Sequence, residues 1–499
     1  MSSGEICKCF ENIFWSSGIS GLHIEKRSEI KFVGFENRSW RMNWNDVPGD
    51  FSGAIRHVER KLNQVDLNPD DDVEADFAET NHDLSEFVSE HLEQTHGCGS
   101  VPEIPSPDND FRKHPEKNDF VIPPEFEALR KAVKKLSKPE GDVTGGRIFF
   151  DCPDPSERYY IKLDEIMTLN PKAGEDKIFY NNQYTVVAPD ANVIVLPSDE
   201  YAQHGKGLFE AKHAADVYIY GITFMNSTIV SDKLAKKAKG WDDMDEVERS
   251  DIVGKWSGAA FRQKRGPNNG ARTTFYKCKF SNNRTISTET RGGGAVSVFN
   301  TDLEFWECSF VNNSGAAGGA IAGKNFKLYV YGCDFINNWS SGGSDGKTQQ
   351  QVGNGGAIRA DGIVDTLIVG SYFEKNWLKH IQKMRGAAMT LYGEDNPDGH
   401  IRVEHCRFVG NGGAGSGKAE SIVNVEGSMG IIMRACEFRD NRSGAEIPNN
   451  GVLVCRVNGD HNDFELSDLK FESNVISSEG TTIRVRGGSK EPAMNNIEM

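Results

Sequence analysis

The residues of this chain that could do chemistry sit in short pieces that follow small-residue turns. Arg359 and Asp361 follow Gly355-Gly356-Ala357-Ile358, and Lys324 follows Gly318-Gly319-Ala320-Ile321. In an extended strand, residues two apart share a face, so the Asp361 carboxylate sits beside the Arg359 guanidinium. Asp361, Arg359 and Lys324 are the catalytic candidates, as the outward residues of this face that offer a carboxylate with cations beside it. Phe299, Tyr392, Arg484 and Arg486 hold matching places in other pieces and are the candidate binding residues. A polysaccharide lyase would need several acids to hold Ca2+ with a base nearby. A glycoside hydrolase would need two or three convergent carboxylates. This face supplies only Asp361, so an exposed ion pair with Arg359 is the simpler reading. No metal or other cofactor is assigned, with Ca2+ entering only for a lyase.

Loop residues could add to that face. Glu394, Asp395, Asp398 and His400 share one turn around Pro397, and Asp460, His461 and Asp463 share another. Both read most simply as polar turns.

The elements that position these residues come from a unit that recurs seven times. Phe280, Phe310, Phe335, Phe373, Phe408, Phe438 and Phe471 are each followed three residues later by Asn283, Asn313, Asn338, Asn376, Asn411, Asn441 and Asn474. Two residues before the Phe stand Cys278, Cys308, Cys333, Ser371, Cys406, Cys436 and Leu469, and apolar residues recur five and seven before it. Each pair alternates as a strand does, and the step of three between the pairs requires a bend. Gly332, Gly370, Ala435, His405 and Asp468 occupy that bend, so His405 reads as structural. Asn after the Phe marks a second corner, since Asn tolerates left-handed backbone, and its amide is expected inside that corner, bonded to neighbouring windings. Spacings of 30, 25, 38, 35, 30 and 33 residues fit a winding of fixed length with variable loops, the signature of a solenoid.

Composition sets outer limits. A chain of 499 residues with 52 Gly suits many tight corners, and a net charge of −16 argues against a nucleic-acid partner. No apolar run is long enough to span a membrane. The first ten residues lack the pattern of a secretory signal, which predicts a cytoplasmic, virion-associated or non-classically exported protein. Of the 10 Cys, five share one column of the repeat and read as buried small hydrophobes. Cys7 and Cys9 read as surface thiols.

Along the chain, residues 1–65 form a small apolar-containing segment, α/β or partly disordered, with a helix expected over 51–62. Residues 66–120 read as an acidic, Pro-rich linker. The body spans 121–488, opening with a capping helix over about 124–137 and carrying a charged insertion at 228–255. Val217 to Phe224 match the repeat register, with Asn226 one place early. Residues 489–499 are a flexible tail.

With Gly-Gly-Ala-Ile at 318–321 and 355–358, and Phe-x-x-Asn seven times, the repeats resemble those of the chlamydial polymorphic outer-membrane proteins. More broadly they resemble right-handed parallel β-helices of the pectate-lyase-like superfamily. The resemblance implies an all-β, three-sheet parallel coil with stacked Phe and an Asn ladder at one corner. Asn300-Thr301-Asp302 matches a short motif of polygalacturonase-type hydrolases, but the elements that should follow it are missing. The expected function is a non-enzymatic scaffold presenting a rigid face and the loops 339–354, 377–386 and 394–400 to glycan or protein. The alternatives are a polysaccharide lyase or hydrolase and a virion spike, with monomer and trimer both open.

Overall fold

The computed structural model describes residues 19–26, 29–34, 39–43, 115–137, 145–169, 182–211, 215–230, 257–263, 271–286, 292–341, 354–378, 385–393, 399–412, 421–443, 451–457, 464–476, 481–487 and 496–497. Contacts divide the chain into two units, 1–81 and 82–499. In the first, Ile19–Lys26, Glu29–Gly34 and Ser39–Asn43 form an antiparallel three-stranded sheet, with Leu22 opposite Phe32 and Phe32 opposite Trp40. The helix expected over 51–62, the linker up to residue 114, and Cys7 and Cys9 lie outside the described residues.

The second unit is a parallel β-helix. A typical winding runs Val296–Phe299, Asp302–Trp306, Ser309–Val311, Ser314–Gly315. Each strand pairs in parallel with its counterpart one winding on: Val296 with Ile321, Phe305 with Val330, Phe310 with Phe335. The bend before the third strand is left-handed in every regular winding, at Gly221, Lys277, Glu307, Gly332, Gly370, His405, Ala435 and Asp468. One left-handed residue there reverses the parity of the inward side chains over three residues, and even Lys277 and Glu307 adopt it.

Eight rings, Phe224 to Phe471, stack along the interior with centroids 4.7–5.4 Å apart and planes within 15°. That spacing follows from strands about 4.8 Å apart. Phe275 and Phe305 stack beside them and meet Phe280 and Phe310 edge-on. The five Cys of the repeat column are buried and unpaired, and their thiols donate to backbone carbonyls, as Cys308 does to Trp306 O at 3.3 Å. Ser371 stands in this column and accepts from Cys333 N–H at 3.2 Å. Ser371→Cys should therefore change the unfolding free energy by less than about 1.5 kcal/mol, read by chemical denaturation.

The second corner differs from expectation in one respect. The left-handed residue is the one before the repeat Asn: Asn282, Asn312, Asn337, Lys375, Asp440 and Ser473. Asn226 belongs to this column, so it is in register, and Ser227 takes the ladder position, its N–H donating to Asn283 Oδ1 at 3.4 Å. The repeat Asn side chains are freed for a ladder. Asn338 Oδ1 accepts from Asn313 N–H and Nδ2, both at 3.0 Å. Asn338 Nδ2 donates to Asn376 Oδ1 at 3.1 Å and to Phe310 O at 2.9 Å. The Gly-Gly-Ala motif serves the corner after this one. Gly318 and Gly355 are left-handed, and a Cβ on Gly319 would collide with the Gly356 carbonyl.

Two boundaries differ from the sequence reading. Phe120, the last residue expected in the linker, opens the strand Phe120–Ile122, which pairs with Ile148 to Phe150 and belongs to the coil. Thr228–Val230, expected to open the insertion, is the fourth strand of its winding and pairs with Arg284–Ile286. The helix Phe126–Leu136 buries Leu129, Ala132, Val133 and Leu136 over the first windings, which closes one end of the apolar interior. No helix among the described residues is long and apolar enough to cross a membrane.

Candidate functional face on the first sheet

Alternation along the first strand of each winding sends Ile321, Ile358, Met389 and Val423 inward and leaves two outward columns. One column reads Glu210, Arg262, Ser297, Ala322, Arg359, Thr390, Asn424, Val454, Arg484. The other reads Phe299, Lys324, Asp361, Tyr392, Glu426, Arg456, and Arg486 pairs in register with Arg456. The catalytic candidates and Phe299, Tyr392 are thereby brought onto one face in consecutive windings. Arg484 and Arg486 lie on a strand four windings beyond that of Asp361.

Arg359 grips Asp361 with two parallel bonds, Nε to Oδ1 and Nη2 to Oδ2, each 3.1 Å. Its guanidinium also lies 5.9 Å from the Tyr392 ring centroid, and the Lys324 ammonium lies 5.9 Å from that of Phe299. An exposed ion pair was expected. Instead the Arg359 and Asp361 side chains are only 10% and 17% exposed, because the planar guanidinium is packed between the carboxylate and the phenol ring. Phe299 is likewise buried rather than presented, with Lys324 near its ring. Burial alone would lower the Arg359 pKa, but the charge of Asp361 and the bond to it hold it above the usual guanidinium value. Burial raises that of Tyr392, against Arg359 and Arg385, so Tyr392 stays a neutral phenol at neutral pH.

The network continues across the windings. Tyr392 OH accepts from Asn354 Nδ2 at 2.9 Å, and Asn354 Oδ1 accepts from Arg385 N–H at 2.9 Å. Arg385 Nη1 donates to Glu426 Oε2 at 3.0 Å, which also faces Arg456 Nη1 at 3.4 Å. Arg456 donates to Asn424 Oδ1 at 2.7 Å. Beside the Arg359–Asp361 pair a small depression of about 30 Å³ is lined by Ser297, Phe299, Gly323 and Lys324. Known protein families, curated proteins and solved structures contain no match to this chain.

Asn354, Arg385, Asn424, Glu426 and Arg456 were not singled out from the sequence. The signal was present: Phe408 and Phe438 bracket a winding whose Val423-Asn-Val-Glu alternates without the Gly-Gly-Ala marker. Asn300-Thr301-Asp302 is a structural turn. Asn300 is left-handed, Thr301 bonds Phe299 O, and Asp302 Oδ1 accepts from Lys327 N–H. His405 sits at a left-handed bend, where burial lowers its pKa. His400 starts a second-sheet strand, while Glu394, Asp395, Asp398, Asp460, His461 and Asp463 lie outside the described residues. Among the described residues, no three His, Cys, Asp or Glu side chains come together to hold a metal ion.

The third sheet carries one perturbed carboxyl. Burial, reinforced by the charge of Glu374, pushes Asp334 up to about 6. The folded state therefore keeps a proton that the unfolded chain releases near pH 4, and stability falls as pH rises from about 4 to 6. Asp334→Asn should remove this slope. Because Asp334 keeps some contact with water, the variant should gain about 1–2 kcal/mol over the parent above pH 6 and nothing below pH 4, read by denaturation across pH.

Proposed function

We propose that the protein is a non-enzymatic β-helix scaffold whose first-sheet outward face binds a glycan chain laid along the coil axis. The supporting observation is the state of the carboxylates around Tyr392. Asp361 is clamped by Arg359, and Glu426 lies between Arg385 and Arg456. Both are occupied by guanidinium donors, which suits holding planar groups in place rather than passing a proton. Windings about 4.8 Å apart repeat at a spacing comparable to one sugar residue, so Lys324, Arg359 and Tyr392, on consecutive windings, each address a successive unit.

A glycan array followed by calorimetry tests this. The expected result is binding that weakens about tenfold or more in Arg359→Ala, whose loss also leaves Asp361 buried without its cation. An array without ligands would leave a protein partner for the same face.

One observation favours a hydrolase as the second reading. Asp361 and Glu426 stand two windings apart in one column, or about 9–10 Å along the sheet. That is near the separation of about 6.5–9.5 Å used by inverting glycosidases. Soluble sugar products that disappear in Asp361→Asn would establish it.

A further inference from the structure

The second strands of the windings carry an outward face of their own. In its middle, one column runs Tyr329, Leu367, Arg402, Ile432, and beside it, over the same four windings, runs Tyr331, Val369, Glu404, Arg434.

Most polar groups on this face are satisfied within the chain. Tyr329 OH donates to Asp365 Oδ2 at 3.0 Å, Thr274 Oγ1 to Glu304 Oε2 at 3.1 Å, and Arg434 Nη2 to Glu465 Oε2 at 3.1 Å. Arg402 and Glu404 break this pattern. Two residues apart on one strand, they share a face, yet they do not pair with each other. Neither side chain finds a hydrogen bond or ion pair among the described residues. Arg402 Nε is buried and unbonded. Glu404 is only 6% exposed, so its carboxylate has lost most of its water without gaining a cation, which is costly. Tyr329, Tyr331, Leu367 and Ile432 around them are partly exposed. Two unanswered opposite charges within an apolar and aromatic surround have the make-up of a protein interface.

We propose that this face is an interface with a second copy of the chain, about a two-fold axis that runs parallel to the coil axis between the two columns. Such an axis sets each residue opposite its neighbour two places along the strand. Arg402 then faces the partner's Glu404, and Glu404 the partner's Arg402, so both charges are answered by two ion pairs. In the windings before, Leu367 faces the partner's Val369 and Tyr329 the partner's Tyr331, so apolar meets apolar and ring meets ring. A two-fold axis along the strand would instead set each charge against its own kind. A trimer would need a second, different patch, whereas these two columns complement each other.

Analytical ultracentrifugation of the full chain tests the proposal. The wild type should sediment as a concentration-dependent dimer. Arg402→Glu sets like charges against each other at both contacts and should weaken the dimer about tenfold or more, as should Glu404→Arg. The double reversal Arg402→Glu/Glu404→Arg restores opposite charges and should recover it. Leu367→Asp leaves both charges in place and should also weaken the dimer about tenfold, which decides the matter if a charge reversal alters the far-ultraviolet spectrum. A wild type that stays monomeric or forms a trimer overturns the proposal, as does a dimer indifferent to Leu367→Asp and to the single reversals.

Discussion

Asn338→Ala should lower the unfolding free energy by about 3–6 kcal/mol, because several buried groups lose their partners at once. Asn313 N–H and Nδ2, Phe310 O and Asn376 Oδ1 all bond the Asn338 amide, and Asn338 itself has no exposed surface. Neither water nor a neighbouring side chain has a path to replace it. Asn338→Asp is a sharper probe. It keeps the acceptor but loses both Nδ2 bonds, and it puts an acceptor against Phe310 O and Asn376 Oδ1. Chemical denaturation of both variants should show large losses. A loss below about 1 kcal/mol for the alanine variant would mean that the ladder contributes little beyond shape.

Phe335→Ala is the second large effect. The ring is fully buried and lies 4.8 Å from Phe310 and 4.7 Å from Phe373, nearly parallel to both. Removing it opens a void in a stack whose spacing is fixed by the strands, so its neighbours can collapse only a little. The expected loss is about 3–5 kcal/mol. Phe471→Ala, at the half-covered end, should cost clearly less. Equal losses at the two positions would contradict a continuous stack that is closed at one end.

The windings were legible in the sequence because their demands fall at fixed offsets. A stacked Phe, a small inward thiol two residues earlier and a ladder Asn three later repeat regardless of loop length. What escaped was local geometry that several residue types can satisfy. Lys277, Glu307 and Lys375 adopt left-handed backbone with no Gly or Asn to announce it. The first-sheet face was read only where Gly-Gly-Ala marked it, so Asn424, Glu426 and Arg456 went unnoticed. Alternation identified Arg359 and Asp361 as neighbours, but not their burial, which depends on Tyr392 from the next winding. A side chain on the outside of a strand can still be covered by its counterparts one winding away.

Asp361 acts as a positioned partner of Arg359 rather than as a catalyst in the proposed scaffold. Product analysis of a panel of neutral and acidic polysaccharides, incubated with the wild type and with Asp361→Asn, decides the matter. The predicted result is no new reducing or unsaturated chain ends from either protein, with glycan affinity reduced in the variant. Chain ends released by the wild type and absent with Asp361→Asn would contradict it and make this face a catalytic one.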